Sequence, residues 1–166
     1  MEAMRACCQW RWHLDEVYVK INGVTHYLWR AVDHEGEVLE SFVTKTRDRK
    51  AALKFLRKSM KRHGRPENIV TDWSRSYGAA LKDLGRSDDR EIGRWLNNRA
   101  ENSQQPFRRR ERVMLRFRRV RTLQKFASIH ASVHNHFPTE RHLLDRETYK
   151  TTRAAALAER RGFLAA

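Results

Sequence analysis

The chain has 166 residues, with 35 Lys and Arg against 20 Asp and Glu, a formal charge of +15, and 40% hydrophobic content that includes five Trp and seven Phe. That length fits one domain with a core of its own, the aromatic content excludes a disordered chain, and so large a basic excess points to a polyanionic partner, most often nucleic acid. No apolar run approaches the ~20 residues of a membrane span, and Met1–Trp12 lacks the apolar middle of a signal peptide; the adjacent Cys7 and Cys8 form neither a disulfide framework nor a zinc knuckle, so a reduced, cytoplasmic setting is expected.

His13 to Ile21 alternates as a strand, with Asp15, Val17, Val19 and Ile21 on one face. Asn22-Gly23 is a hairpin turn, because both residues tolerate positive φ. Val24–Val32 reads as the return strand, Asp33-His34-Glu35-Gly36 as a second turn, and Glu37–Thr44 as a third strand. From Asp48 to His63 the apolar positions, Ala51, Ala52, Phe55, Leu56 and Met60, take helical spacing, and Gly64 and Pro66 end the helix. Asn68–Thr71 is a short apolar strand that stops at Asp72, and Ser74 suits the N-cap of a helix to about Leu84. Glu91–Leu96 is expected to form a fifth strand. From Asn98 the chain reads as helical, with Pro106 kinking or dividing it; Ser128–Phe137 continues the helical pattern, Thr139–Lys150 is ambiguous, and Thr152–Leu164 is an alanine-rich helix. Three antiparallel strands followed by alternating helices and strands predict an α/β fold, a mixed five-stranded sheet with flanking helices. The parallel additions should come through right-handed crossovers.

Two carboxylates stand where that layout places chemistry. Asp15 sits on an otherwise apolar strand face, where a carboxylate is costly to desolvate unless something binds it. Asp72 lies just past the carboxyl end of the fourth strand, where ligands collect in open α/β sheets. If the two strands are neighbours, the side chains converge. Two such charges ~4 Å apart repel by roughly 4 kcal/mol at an effective dielectric near 20, a penalty that a divalent cation removes. Oxygen ligands without Cys or His suit Mg²⁺ or Mn²⁺. A third ligand is expected from a helix over the sheet. Glu101 is the best placed, with Arg108 seven residues later on the same helical face; Glu91 and Glu111 are rivals. On periodicity alone all three acids also read as a strand end, a helix cap and a solvated helical charge.

The Arg-dense segment Arg108, Arg109, Arg110, Arg112, Arg116, Arg118 and Arg119, interrupted by Val113, Leu115 and Phe117, suits phosphate contacts along one side of a packed helix. Trp73, directly after Asp72, is placed to line a DNA path. Trp10, Trp12, Trp29 and Trp95 read as core or sheet-face residues, and His130, His134 and His136 as surface or packed histidines rather than a zinc site.

Several blocks then align in order with one family. Trp12-His13-Leu14-Asp15-Glu16 and His26-Tyr27-Leu28-Trp29-Arg30-Ala31-Val32-Asp33, Ile69-Val70-Thr71-Asp72 with Ser76-Tyr77-Gly78-Ala79-Ala80-Leu81, and Asn97-Asn98-Arg99-Ala100-Glu101-Asn102-Ser103 running into Arg108-Arg109-Arg110-Glu111-Arg112, resemble the catalytic domain of transposases of the IS-six insertion-sequence family. The resemblance runs from about Arg11 to the C-terminus. It implies a ribonuclease H-like DDE catalytic domain over 11–137, after an irregular segment, 1–10, and before a C-terminal helical extension, 138–166. Asp15, Asp72 and Glu101 would be the catalytic metal ligands, holding two Mg²⁺ or Mn²⁺ ions. The activity implied is DNA strand cleavage and strand transfer of an insertion sequence in a bacterial cell, by a protein that forms homo-oligomers on DNA at the nucleoid. Two departures stand out: the Asp72–Glu101 interval is shorter than in the best-known members, and Met1–Gln9 does not resemble the helix-turn-helix region that precedes the domain. The expectation is an N-terminally truncated transposase, with a catalytically silent DNA-binding remnant and a ribonuclease H-like nuclease acting on RNA or hybrids as the alternatives.

Overall fold

A computed structural model describes residues 10–93, 95–114 and 117–136, with 148, 151, 154, 155 and 158 beyond them. The expected C-terminal helical extension lies outside the described residues except for those five positions, which are helical, and the N-terminal segment is described only at Trp10.

Strands β1 (Arg11–Ile21) and β2 (Val24–Asp33) form the antiparallel hairpin. Its turn residues Asn22 and Gly23 have φ of 50° and 81°, the pair of positive values whose twist matches the strands they join. β3 (Val38–Thr44) pairs antiparallel with the other edge of β2. Helix α1 (Arg49–His63) starts where Asp48 accepts a hydrogen bond from the Ala51 backbone N–H at 2.8 Å, and it ends at Gly64 with φ 83°. β4 (Asn68–Thr71) then adds parallel to β1, α2 (Arg75–Asp83) follows, and β5 (Arg90–Ile92) adds parallel to β4. The sheet order is β3-β2-β1-β4-β5, the ribonuclease H-like plan. Helices α3 (Asn98–Val113) and α4 (Val120–His136) complete the described chain.

Strand alternation splits the core between the two faces. Trp12, Leu14, Trp29 and Ala31 pack with Phe55 and Leu56 of α1 and Tyr77 and Leu81 of α2. Val19, Ile21, Leu28 and Val43 pack on the opposite face with Phe107 of α3 and Leu123 and Ala127 of α4. Each buried Leu, Ile or Phe contributes on the order of 2 kcal/mol, and the two clusters hold the sheet between two helical layers.

Three sequence expectations need correction. The fifth strand is Arg90–Ile92 rather than Glu91–Leu96, because the chain leaves the short β4 after Thr71↔Ile92 and turns through Trp95–Asn97. Of the two outcomes expected at Pro106, kinking or dividing the helix, division does not occur, since one helix runs from Asn98 to Val113. The carbonyl four residues earlier, Asn102, is on the exposed side and can bond to water, while Phe107 and Ser103 bury their own face against the sheet. Trp12 and Trp29 are core residues as expected, but Trp10 is 39% and Trp95 78% exposed, since both lie in turns outside the packed strands.

The outer edge of β3 is closed by side chains from α4. Gln124 accepts from the Val43 backbone N–H at 2.9 Å and donates to the Ser41 carbonyl at 2.7 Å. Asn135 accepts from the Val38 N–H at 2.7 Å and donates to the Val38 carbonyl at 2.9 Å. The helical rise between the two amides, roughly 16 Å at 1.5 Å per residue, matches the strand length from Val38 to Val43, roughly 17 Å. These side chains occupy the backbone groups an open edge would offer to another strand. Among the described residues no helix is long and apolar enough to cross a membrane.

Candidate active site

Strand register brings the first two acids together. β1 and β4 run parallel with Trp12↔Ile69, His13↔Val70 and Leu14↔Thr71 abreast, so the next residue of each strand, Asp15 and Asp72, meets at the carboxyl end of the pair. Adjacent strands lie roughly 4.8 Å apart, which sets the scale of the meeting. Asp72 leaves β4 in a turn in which its Oδ1 accepts from the Ser74 N–H at 2.9 Å. Ser74 itself makes no side-chain cap to α2.

Glu16 is the residue the sequence reasoning missed. Asp15, Glu16 and Asp72 each offer a carboxylate oxygen within 4.8 Å of the other two. Glu16 points to the α1/α2 face, where its side chain is 3% exposed and ion-paired with Arg47; Arg47 also reaches Asp72 at 3.6 Å. The buried Tyr77 hydroxyl of α2 lies beside it. Strand alternation hid this residue: one place along from Asp15, it reads as a solvent-facing charge. Its even-numbered face carries the buried Trp12 and Leu14 before it and the exposed Tyr18 and Lys20 after it, so the sequence holds no local signal of its burial.

The concentration of negative charge shows in the acid–base properties. Burial, then the neighbouring Glu16 charge, pushes the Asp15 carboxyl up to about 7, with Asp72 and Glu101 adding to the rise. Burial and the Asp72 charge raise Glu16 as well, against the opposing pull of Arg47. Burial foremost drives the Tyr77 hydroxyl well above its usual range, so it stays protonated. On the α3 face, Arg30 is the cross-strand partner of Asp15 and is 1% exposed. Its guanidinium donates to the Ser103 carbonyl at 2.6 Å and lies 5.3 Å from the Phe107 ring centre. Burial lowers Arg30 to about 10, which leaves it a fixed cation behind Asp15 at neutral pH.

Helix α3 is docked over this cluster by two polar contacts. Asn97 donates to the Leu14 carbonyl at 2.9 Å, and Gln104 donates to Asp15 Oδ2 at 2.6 Å. Glu101 lies in the first turn of α3, exposed, on the wall of a cavity of about 400 Å³ shared with Asp15, Gln104, Arg108, Arg109 and Arg112. It therefore shares a cavity with Asp15 but stands outside the tight Asp15–Glu16–Asp72 cluster. Of its two rivals, Glu91 is tied to Arg11, and Glu111 pairs with Arg108 at 2.8 Å. The close donor set is all oxygen, which suits a hard divalent cation, and mutual repulsion among its members is the penalty such a cation would relieve.

The basic residues divide between the cavity and the surface beyond it. Arg108 stacks over Tyr18 at 4.9 Å, and Arg109 and Arg112 line the same cavity. Arg110 is exposed along α3, and Arg118 and Arg119 are exposed ahead of α4, while Arg116 lies outside the described residues. Trp73 is 77% exposed beside Asp72. His130 packs against Phe107 and Phe126, with ring centres 5.7 and 5.8 Å away, and neither it nor His134 joins a metal-ligating group among the described residues. The side chain of His136 lies outside what is described.

Comparison with known proteins adds sequence relatives to this geometry. A family model described as a DDE domain matches residues 9–140. A Staphylococcus aureus transposase for the insertion sequence-like element IS431mec is 38% identical over 72 residues, a match covering 43% of this chain and 32% of that protein. The S. aureus transposase for the insertion sequence element IS257 in transposon Tn4003 matches to the same extent, 38% over 72 residues. An uncharacterised Yersinia pseudotuberculosis protein, pYV0051, is 33% identical over 76 residues, covering 44% of this chain and 71% of its own length. The match thus spans about a third of the length of the transposases, 32% of each. Among solved structures, the magnesium complex of the HTLV-2 integrase catalytic core domain is similar with a TM-score of 0.43 at 18% identity, covering 50% of this chain and 57% of that one.

Proposed function

The chain belongs to the DDE-domain family of IS-six-type insertion-sequence transposases, and from that premise we propose that it performs metal-dependent DNA strand cleavage and strand transfer. Asp15, Asp72 and Glu101 are its catalytic ligands in this reading, and Mg²⁺ or Mn²⁺ its cofactor, two ions held together. The observation that carries the proposal is the parallel β1–β4 register, which sets Asp15 abreast of Asp72 beneath the first turn of α3. Divalent ions bound there would activate a water or a DNA 3′-hydroxyl and stabilise the leaving oxygen of an in-line displacement.

The chain's own residues supply the rest. Asp15 comes from within β1 and Asp72 from just past the end of β4, both held by the sheet, whereas Glu101, on an exposed helical turn, has room to move inward as a ligand. Gln104 and the Glu16 backbone N–H fix the Asp15 carboxylate by hydrogen bonds of 2.6 and 2.9 Å. Arg108, Arg109 and Arg112 line the same cavity and are placed to receive a scissile phosphate and its neighbours. Arg110, Arg116, Arg118, Arg119 and Trp73 extend the DNA path, and assembly into homo-oligomers on DNA follows from the same reading. The setting proposed is bacterial, cytoplasmic and at the nucleoid when DNA is bound.

The test incubates the protein with supercoiled plasmid and Mn²⁺, beside Asp15→Asn, Asp72→Asn and Glu101→Gln. Cleavage by the wild-type protein, lost in all three with DNA binding retained, supports the proposal. Cleavage that survives in one variant removes that residue from the ligand set. DNA binding without cleavage by the wild-type chain would favour the silent remnant instead.

A further inference from the structure

Glu16 is a buried carboxylate that no step of the proposed chemistry uses, and its partner is a cation shared with a proposed metal ligand. A carboxylate taken out of water is costly unless it is paired. The side chain of Glu16 is 3% exposed, with the Arg47 guanidinium and the buried Tyr77 of α2 against it. Arg47 stands between two acids: the same Nη2 that is ion-paired with Glu16 lies 3.6 Å from Asp72 Oδ2. Its backbone is fixed there, because the Arg47 carbonyl accepts from the Ser76 hydroxyl of α2 at 3.2 Å.

The surroundings of Asp72 make this sharing consequential. Its Oδ1 accepts from the Ser74 N–H, and Arg90, the other cation beside it, donates to the Asp72 carbonyl at 2.9 Å rather than to the carboxylate. Oδ2 is therefore the oxygen left to a metal ion, and Arg47 is the side chain in reach that competes for it among the described residues. Burial decides which acid holds the guanidinium. The Asp72 side chain is 38% exposed against 3% for Glu16, and a pair away from water attracts more strongly than a screened one. Glu16 and Arg47 thus cancel each other, and Asp72 keeps its charge.

We propose that Glu16 is a positioning residue for the metal centre: by holding Arg47 it keeps the guanidinium off Asp72 Oδ2 and leaves that oxygen to a divalent cation. The inference rests on the reading of Asp72 as a metal ligand and gives Glu16 a role that needs no contact with the ion. Removing the Glu16 charge alone frees Arg47, already poised at 3.6 Å, to close on Asp72 and take the cation's place. Removing both charges leaves no competitor.

The experiment follows thermal unfolding of the full chain across a Mn²⁺ titration. The metal-free midpoint reports the fold, and the Mn²⁺ concentration at which the midpoint begins to rise reports affinity. Glu16→Gln should need about tenfold more Mn²⁺ than wild type. The double variant Glu16→Gln/Arg47→Gln should return to the wild-type concentration. Arg47→Gln alone should respond at the wild-type concentration or below it, a readout that stands even where Glu16→Gln does not fold. An unchanged Mn²⁺ response in Glu16→Gln would overturn the proposal, leaving the Glu16–Arg47 pair a purely structural tie. A loss that the double variant does not restore would also overturn it, making Glu16 a ligand itself. Neither result touches the transposase reading, which Asp72→Asn tests in the same assay: a wild-type chain that Mn²⁺ does not stabilise, or an Asp72→Asn chain that responds as wild type does, would overturn both.

Discussion

Asp15→Asn should stabilise the metal-free protein, and the gain should depend on pH in a way that identifies its cause. The folded Asp15 carboxyl is raised from the ordinary 3.8 to about 7, chiefly by burial and then by Glu16. The unfolded chain gives up this proton near 3.8, the folded chain near 7, so between those values the folded state holds more protons. Stability therefore falls as pH rises through that window, and the penalty is complete above it. At ~1.4 kcal/mol for each tenfold, the ceiling is about 4 kcal/mol; halving for screening leaves ~2 kcal/mol at pH 8 and about 0.5 kcal/mol at pH 4.5. Asparagine keeps an acceptor for the Glu16 N–H, and Gln104 can turn its amide to accept rather than donate, so the hydrogen bonds survive. Thermal unfolding in EDTA at the two pH values is the assay. For a chain of this size ~2 kcal/mol corresponds to about 4–8 °C at pH 8. Added Mg²⁺ should reverse the order, raising the wild-type midpoint while leaving the variant nearly unmoved. A variant less stable than wild type at pH 8 in EDTA, or a gap that does not change with pH, would refute the claim that Asp15 is held against repulsion and desolvation.

Three further outcomes are expected. Burial first, and nearby Arg charges next, hold His13 and His130 down to about 4, so the unfolded state takes up their protons first as pH falls below 6.5; stability should drop from pH 6.5 toward 4, and in the Asp15→Asn background His130→Phe should flatten that acid limb, as read by urea midpoints. Gln124→Ala and Asn135→Ala each remove the partners of two β3 backbone groups and should cost ~1–3 kcal/mol, with faster hydrogen exchange at the Val43 or Val38 amide respectively; unchanged exchange would mean the edge is covered in another way. Arg108→Ala gives up the Tyr18 stack and the Glu111 pair on a half-exposed surface and should leave the fold within ~0.5 kcal/mol, while lowering the salt slope of DNA binding by about one.

The carboxylates differ in how far the sequence announces them. Asp15 interrupts the apolar odd-numbered face of β1, and Asp72 ends a four-residue apolar strand, so each carries its own local anomaly. Glu16 carries none: its burial comes from Arg47 and Tyr77, which reach it from a loop and a helix far along the chain. Arg30 reads as an ordinary polar residue on an exposed strand face until Phe107 and Ser103 of α3 close over it. Glu101 belongs to a helix whose spacing with Arg108 is plain in the sequence, yet how near it comes to Asp15 depends on the docking of α3 by Asn97 and Gln104.

Turn chemistry at Asn22-Gly23, alternation along β1 and β2, helical spacing over α1 and the Asp48 cap are short-range properties, set by backbone preferences and by which neighbours share a face. The sequence by itself therefore determined the kinds of element, their order, the basic surface and two of the acids. The parallel β1–β4 register, the burial of Glu16 and Arg30, and the reach of Arg47 to two acids at once were decided only by tertiary structure. Each depends on residues distant in the chain meeting at a few ångströms, and those distances are set by strand pairing and helix docking over the whole domain.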